Sequence, residues 1–176
     1  MALAQRRMTA DEFLALPPDR RSQLIDGEIV VSDPVLRHNR IQMALYRDLA
    51  DWLDTQPGWG EAGIGCNVRI DEQSVFVPDV WFVSEADRPG RDAKWFDRPP
   101  DLVAEVRSPS TWRYDTGTKK AAYFRTGVTE LWLLDTETDT VLVFRRDESV
   151  EVVAGEQLTT PLLPGLAIDV AALFDR

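Results

Sequence analysis

The chain has 176 residues, of which 44% are hydrophobic, and this is enough to bury the core of one domain. Its one cysteine, Cys66, and one histidine, His38, exclude an intramolecular disulfide framework and a thiolate zinc cage, and they argue against a histidine-rich zinc site. The formal net charge of −10 argues against an extended nucleic-acid-binding surface, because affinity for phosphates comes mainly from Lys and Arg, but it leaves room for a local basic cleft.

Hydropathy argues against a membrane-spanning segment, because no apolar run approaches the ~18 residues that such a helix needs. Residues 1–7 are too polar and too short a stretch for a secretory signal. We therefore expect a cytoplasmic protein without a membrane partner, folded as a single domain over residues 1–176.

The N-terminal part of the chain predicts two helices and a hairpin. Residues 8–16 are predicted as a short helix in which Thr9 and Glu12 form a capping box. Residues 23–31 are predicted as two short strands around an Asp-Gly turn. Residues 38–54 are predicted as a helix, because leucine or isoleucine recurs there at four-residue spacing.

The middle of the chain predicts the centre of a sheet. Residues 67–70 and 75–83 are predicted as a hairpin, and the second arm is apolar on both faces, which favours a central strand. Pro78 within this arm predicts an irregularity beside Asp79, because proline cannot donate a ladder hydrogen bond. The polar residues 84–99 are predicted as a loop.

The remaining elements alternate between strands and helices. Residues 102–106 are predicted as a short buried strand, and residues 116–126 as a helix with Asp115 as its N-cap. Shorter apolar runs predict three strands and a terminal helical turn, over residues 131–134, 141–144, 151–153 and 169–174. The order predicts an α/β fold in which helices flank a mixed β-sheet.

Two carboxylates, those of Asp79 and Glu105, lie at the ends of apolar strands. Carboxylates are costly to bury unpaired, and a divalent metal is one of the few groups that compensates several of them together. If the two strands are neighbours, both side chains can bind one hard ion, Mg²⁺ or Mn²⁺. The sequence equally allows Asp79 to belong to a turn and Glu105 to pair with Arg107.

Glu28 and Lys119 are further candidates. Glu28 is either an exposed hairpin residue or a third carboxylate of the same site. Lys119 falls in the first turns of the helix after Glu105, where it can stabilise an anionic phosphate or position a water molecule. The alternative for Lys119 is a solvated surface lysine beside Lys120.

Three more side chains have both a structural and a functional interpretation. Tyr123 lies four residues after Lys119 on the same helix face, and it either packs half-buried or forms a hydrogen bond near the cleft. His38 begins or caps its helix and is a candidate for contact with a phosphate. Asp115 is either the helix cap or a support for the site.

Several short segments occur in a fixed order over residues 8–174. They are Leu24-Ile25-Asp26-Gly27-Glu28, His38, Val77-Pro78-Asp79-Val80, Pro100 to Ser110, Asp115 with Lys119 and Tyr123, Gly127 to Trp132, and Leu163-Pro164-Gly165-Leu166. In this order and combination they resemble the Uma-two family of restriction endonucleases, a branch of the PD-(D/E)XK nuclease-like superfamily. The resemblance covers nearly the whole chain.

The resemblance implies a restriction-endonuclease-like fold with a Mg²⁺ site. Its implied oxygen ligands are Asp79, Glu105, Glu28 and the Val106 carbonyl. The usual lysine of the superfamily lies two residues after the acidic residue, and that position is Arg107 here. Because arginine stays protonated, it can stabilise charge but cannot act as a base, which leaves Lys119 as the candidate for the role of that lysine.

We therefore predict a Mg²⁺-dependent endonuclease that hydrolyses DNA phosphodiester bonds. The predicted catalytic residues are Asp79, Glu105 and Lys119, and the predicted substrate-binding residues are Arg107, His38 and Tyr123. A homodimer is a further expectation, because cutting both strands of DNA calls for two sites. The alternatives are a non-catalytic binding or regulatory module that keeps the fold, and a metal-dependent hydrolase of RNA or a nucleotide.

Overall fold

The computed structural model describes residues 6–19, 21–146 and 148–175. The strands are β1 (Ser22–Ile25), β2 (Glu28–Val31), β3 (Gly60–Ile64), β4 (Val68–Asp71), β5 (Ser74–Phe76), β6 (Val80–Ser84), β7 (Leu102–Val106), β8 (Glu130–Asp135), β9 (Thr140–Arg145), β10 (Glu148–Val152), β11 (Gln157–Leu158) and β12 (Ile168–Asp169). The helices are α1 (Ala10–Leu14), α2 (Leu36–Asp54), α3 (Trp112–Tyr114), α4 (Lys120–Thr126) and α5 (Val170–Phe174). A 3₁₀ turn spans Glu85–Asp87, and a π-helical segment, Asp115–Lys119, joins α3 to α4.

The strands form a mixed six-stranded sheet, an antiparallel four-stranded sheet and a small pair. The six-stranded sheet has the order β10-β9-β8-β7-β6-β3, in which β7 and β8 are parallel and the other neighbours are antiparallel. The four-stranded sheet has the order β2-β1-β5-β4, and β11 pairs with β12. Mixed sheets flanked by helices confirm the predicted fold class.

The core lies on both faces of the six-stranded sheet, because side chains alternate along each strand. On one face, Val80 and Phe82 of β6 pack with the apolar stripe of α2 and with α5. On the other face, Trp81 and Val83 pack towards the four-stranded sheet and α4. Each large apolar side chain buried in this way contributes roughly 1.5–3 kcal/mol relative to exposure.

The predicted second hairpin arm, residues 75–83, is not one strand. It is divided into β5 and β6, which belong to different sheets, and residues 77–79 form the break between them. Pro78 cannot donate a ladder hydrogen bond, so the chain leaves one sheet there and enters the other. The predicted irregularity beside Asp79 is thus confirmed, and Asp79 lies in the break, just before β6.

Three local predictions at the N-terminal side can be compared directly. The capping box of α1 is present, with the Thr9 hydroxyl accepting from the Glu12 N–H. The turn between β1 and β2 is also present, and Asp26 and Gly27 there have φ values of 50° and 78°. Helix α2 begins at Leu36, so His38 lies inside its first turn and neither begins nor caps it.

Two predictions further along the chain need correction. The helix predicted from residue 116 starts at Trp112, and Asp115 lies inside it rather than at its N-cap. Strand β3 was not predicted, because its glycines have low strand propensity. In the part of the chain that the structure describes, no helix is long and apolar enough to cross a membrane.

Candidate active site

The register of β6 and β7 brings Asp79 and Glu105 together. Val80 pairs with Ala104 in this antiparallel ladder, so continuing the register by one residue places Asp79 opposite Glu105. Residues opposite each other in an antiparallel pair lie on the same face of the sheet. The N–H of Val106 donates a hydrogen bond of 2.7 Å to Oδ2 of Asp79, which fixes this carboxylate against the end of β7.

Glu105 is the centre of a buried charged cluster and is only 3% exposed. Its Oε1 lies 2.6 Å from Nζ of Lys119 and accepts a 2.7 Å hydrogen bond from the Tyr123 hydroxyl. Nζ of Lys119 also lies 2.9 Å from Oδ1 of Asp115. Glu105 therefore pairs with Lys119 and not with Arg107, and Lys119 is not a surface lysine.

The π-helical segment and the helix after it supply the partners of Glu105. Asp115, Lys119 and Tyr123 follow one another at four-residue spacing and are all buried. Side chains at this spacing lie on one helix face, here the face that packs against the sheet. Thr111, in the preceding turn, donates a 3.1 Å hydrogen bond to Oδ2 of Asp115. Single π-helical turns are frequent at functional sites.

Helix α2 holds Asp79 from the other side. Nε2 of His38 lies 3.1 Å from Oδ2 of Asp79, and Nε2 of Gln42 donates a 2.8 Å hydrogen bond to the Asp79 main-chain carbonyl. Both side-chain contacts of Asp79, from His38 and from the Val106 N–H, end on Oδ2. The contacts of Glu105 with Lys119 and Tyr123 likewise both end on Oε1, so Oδ1 of Asp79 and Oε2 of Glu105 accept no hydrogen bond from the described residues.

These side chains line one pocket, with a volume of about 210 Å³. Its polar lining includes Asp79, Glu105, Lys119, His38, Gln23 and Gln42. Four of the residues predicted as site residues, Asp79, Glu105, Lys119 and His38, thus meet at one place. Tyr123 is fully buried behind Glu105 and orients that carboxylate, so the structure does not place it where a substrate would contact it.

Burial and neighbouring charge shift the pKa values of this cluster. Burial, together with the charges of Asp115 and Asp79, outweighs the opposing charge of Lys119 and raises the pKa of Glu105 to about 8. Burial lowers the pKa of Lys119, but Asp115 and Glu105 outweigh it and raise the pKa overall. Lys119 therefore carries its proton throughout the physiological pH range. Two carboxyl groups, those of Glu105 and Asp115, share this one cation.

The pKa values of His38 and Tyr123 are also raised. Burial lowers the pKa of His38, but its hydrogen bond to Asp79 and the charge of Asp79 prevail and raise it. Burial and the charge of Glu105 both raise the pKa of Tyr123, which keeps its hydroxyl protonated as a donor to Glu105.

The structure does not bring Glu28 and Arg107 to the pocket. Glu28 is exposed on β2 and lines a separate depression with Arg6 and Arg7. The guanidinium of Arg107 is engaged elsewhere: its Nη1 donates to both carboxylate oxygens of Asp135, at 2.9 and 3.0 Å, and its Nη2 forms an ion pair with Glu137 at 2.7 Å. The residue that β1 contributes to the pocket is Gln23, which carries no charge and gave no sequence signal.

The donor set fits a hard cation. No group of three or more His, Cys, Asp or Glu among the described residues could hold a metal, so carboxylates alone do not form a closed site. Mg²⁺ in proteins is usually held by one or two carboxylates and completes its shell with water and substrate oxygens. Asp79 and Glu105, each with one oxygen that accepts no hydrogen bond, meet that requirement.

The fold is that of a nuclease-like α/β protein. The chain belongs to the Uma2 family, whose model, described as "Putative restriction endonuclease", matches residues 10–171. The structure is also similar to the crystal structure of a "putative nuclease belonging to DUF820" from Anabaena variabilis, with a TM-score of 0.85 and 23% sequence identity over 96% of this chain and 98% of that one. At this identity the similarity shows the fold alone. No curated protein matches the chain.

Proposed function

We propose that this protein is a Mg²⁺-dependent endonuclease that hydrolyses DNA phosphodiester bonds in the pocket lined by Asp79, Glu105 and Lys119. The observation that carries the proposal is the meeting of two carboxylates from neighbouring strand ends with a buried lysine from the next helix. Membership of a family of restriction endonucleases and a nuclease-like fold support it.

Asp79 and Glu105 are the residues that would hold the metal, through the oxygens that accept no hydrogen bond. When bound, Mg²⁺ supplies Lewis-acid polarisation of a phosphoryl oxygen and lowers the pKa of water in the site. Glu105 and Asp115 share the single ammonium of Lys119, and burial together with the charges of Asp115 and Asp79 raises the pKa of Glu105 against that ammonium. A divalent cation is the charge that this pocket lacks.

Lys119 acts in this proposal as a fixed positive charge. Its raised pKa excludes the role of general base, because the amine would have to lose its proton first. The buried ammonium instead stabilises negative charge that develops on the phosphoryl oxygens in the transition state. Lys119 therefore takes the role of the superfamily lysine from a helix rather than from the strand position of Arg107.

His38 and Tyr123 are positioning residues in this mechanism. His38 contacts Oδ2 of Asp79, and Tyr123 donates to Oε1 of Glu105, so each fixes the rotamer of one carboxylate. Both contacts leave the second carboxylate oxygen without a hydrogen bond from the described residues. Such preorganisation lowers the cost of binding a cation and its substrate.

Plasmid cleavage tests the proposal. We expect purified protein to nick supercoiled plasmid with Mg²⁺ and not with EDTA, and we expect Asp79→Asn to cut on the order of 10²-fold more slowly or not at all. Glu28→Gln is the matched control, because it also removes a carboxylate but lies outside the pocket, and its rate should equal that of the wild type. Equal rates for wild type and Asp79→Asn would contradict the assignment.

The acidic character of the chain favours a second candidate, a non-catalytic module that keeps the fold. A net charge of −10 opposes DNA binding through long-range repulsion. Calorimetry with Mn²⁺ separates the two candidates. An enzyme should bind the ion and Asp79→Asn should lose it, whereas a module should bind in neither form. Parallel assays with RNA and nucleotides distinguish the substrate class.

A further inference from the structure

Gln23 is a buried polar side chain whose acceptor has no partner. It is 5% exposed on β1, and its Oε1 is buried without a hydrogen bond to any described residue. Leaving a buried acceptor unsatisfied costs about 1–3 kcal/mol, so native proteins rarely do so without a reason. Gln23 also lines the pocket that contains Asp79 and Glu105.

Strand geometry directs Gln23 towards this pocket. Neighbouring residues on a strand point to opposite faces. Leu24 packs in the small cluster under α1, whereas Ile25 packs in the larger cluster that contains Tyr123. Gln23 therefore shares the side of Ile25, the side on which Tyr123 holds Glu105. A leucine at this position would fill the space without leaving an oxygen unsatisfied. If packing were the only role of residue 23, the amide would cost more free energy than leucine.

The chemistry of the pocket indicates what the amide oxygen binds. The amide oxygen is an acceptor in the same pocket as two carboxylates, so the partner that suits all three is a cation. A neutral amide oxygen adds a hard ligand without adding negative charge. This matters here because burial and the charges of Asp115 and Asp79 already raise the pKa of the neighbouring Glu105 carboxyl.

We propose that Oε1 of Gln23 is a further protein oxygen ligand of the divalent cation held by Asp79 and Glu105. This inference rests on the proposed function, because it concerns the same pocket. No group of three His, Cys, Asp or Glu among the described residues could hold a metal, and Gln23 adds a neutral oxygen ligand to the two carboxylates. The sequence predicts Glu28 as the third side-chain ligand; in this proposal Gln23, five residues earlier in the same hairpin, takes that role.

Mn²⁺ binding measured by calorimetry tests the inference without relying on cleavage. Gln23→Leu and Gln23→Met keep a similar volume and remove the oxygen, and both should weaken Mn²⁺ binding by about tenfold or more. Gln157→Leu, an exposed glutamine on β11, is the matched control and should bind Mn²⁺ as the wild type does.

Thermal stability gives a second readout that a purely structural glutamine would not produce. In EDTA, Gln23→Leu should melt higher than the wild type, because the unsatisfied acceptor is gone. With Mn²⁺, its melting temperature should rise less than that of the wild type, because ligand stabilisation follows affinity. Either variant suffices if the other does not fold.

Three outcomes overturn the proposals separately. Wild-type affinity in both Gln23 variants, together with lost binding in Asp79→Asn, would remove Gln23 from the ligand set and leave the metal site standing. A lower melting temperature of Gln23→Leu in EDTA with an unchanged Mn²⁺ shift would make Gln23 a structural residue. Absence of Mn²⁺ binding in the wild type would overturn the metal-dependent function itself, and the inference with it.

Discussion

At the scale of single residues, the site depends on a buried charge cluster whose members compensate one another. Lys119 is 1% exposed and lies within ion-pair distance of Glu105 and Asp115. Burying an ion pair brings little net stability, but removing one partner leaves the others buried and unpaired. The cluster is therefore sensitive to the loss of any one charge.

The first prediction concerns Lys119→Met, which keeps the length of the side chain and removes its charge. We expect a loss of about 3–5 kcal/mol in the free energy of unfolding, because two buried carboxylates lose their cation. Urea unfolding followed by circular dichroism measures it. Lys120→Met is the control, since Lys120 covers the Phe144 ring at 4.2 Å and this substitution should cost less than about 1 kcal/mol. Similar losses in both variants would contradict the assigned role of Lys119.

The second prediction concerns pH and Glu105. The folded-state pKa of about 8 lies above the ordinary value of 4.5, so the folded protein holds this proton more tightly than the unfolded chain does. The contribution of this proton to the free energy of unfolding is present in full below pH 4.5 and is lost as pH rises towards about 8. Glu105→Gln lacks this titration.

Unfolding free energies in EDTA at a series of pH values measure the effect. The stability of Glu105→Gln relative to the wild type should rise between about pH 5 and pH 8, with a slope of at most ~1.4 kcal/mol per pH unit. Because the comparison is between two variants, titrations common to both cancel. A constant difference over this range would show that the pKa of Glu105 is not raised.

The charged residues of the pocket could be predicted, because a charged side chain is unusual within an apolar segment. Asp79 and Glu105 interrupt runs that otherwise read as core strands, and Lys119 follows in the next helix, so their meeting in one pocket could be expected. Gln23 could not, because a neutral amide in a short strand resembles any half-exposed strand residue. Only its burial and its unpaired oxygen identify it.

At the scale of elements, the break between β5 and β6 is what forms the pocket. The chain crosses from one sheet to the other over residues 77–79, so the Asp79 side chain is free of the ladder and can reach the end of β7. An uninterrupted strand over residues 75–83 would leave no such gap. The sequence indicated the irregularity through Pro78, but it could not show that the two halves belong to different sheets, which depends on long-range pairing.

Strand β3 shows the opposite case, in which local propensity misleads. Gly63 pairs with Trp81 across the ladder, and a Cβ at Gly63 would lie 2.3 Å from Cζ2 of that ring. The glycine is therefore required by the tryptophan that covers it. Tertiary packing overrides strand propensity at this position.

The third prediction follows from this contact. Gly63→Ala should destabilise the protein by about 1–3 kcal/mol through overpacking, although alanine suits a strand better than glycine does. Gly90→Ala is the control, because nothing lies within 4 Å of a Cβ there, and its effect should be near zero. Urea unfolding of Gly63→Ala, Trp81→Leu and the double variant closes a cycle. If Trp81→Leu does not reduce the cost of Gly63→Ala, the ring is not the obstacle.

At the scale of the whole molecule, the net charge of −10 limits how DNA can approach. Binding through many phosphate contacts needs a broad basic surface, and the overall charge opposes it. Two permanently cationic side chains line the pocket, those of Arg21 and Lys119. Arg21 is exposed, and its Nε lies no closer than 4.0 Å to Asp19, so solvent and a phosphate can reach its guanidinium.

The last prediction is the salt dependence of DNA binding. Two phosphate contacts predict a slope of log affinity against log salt of about −2, since each contact contributes about −0.9. Fluorescence anisotropy of a labelled duplex between about 50 and 200 mM salt measures it, with Ca²⁺ in place of Mg²⁺ and a gel to show that the duplex stays intact. Arg21→Ala should reduce the slope by about 1, and Arg91→Ala, an exposed arginine outside the pocket, should not change it. A slope steeper than about −4 would mean that DNA contacts a basic surface beyond this pocket, because two cations cannot release that many counterions.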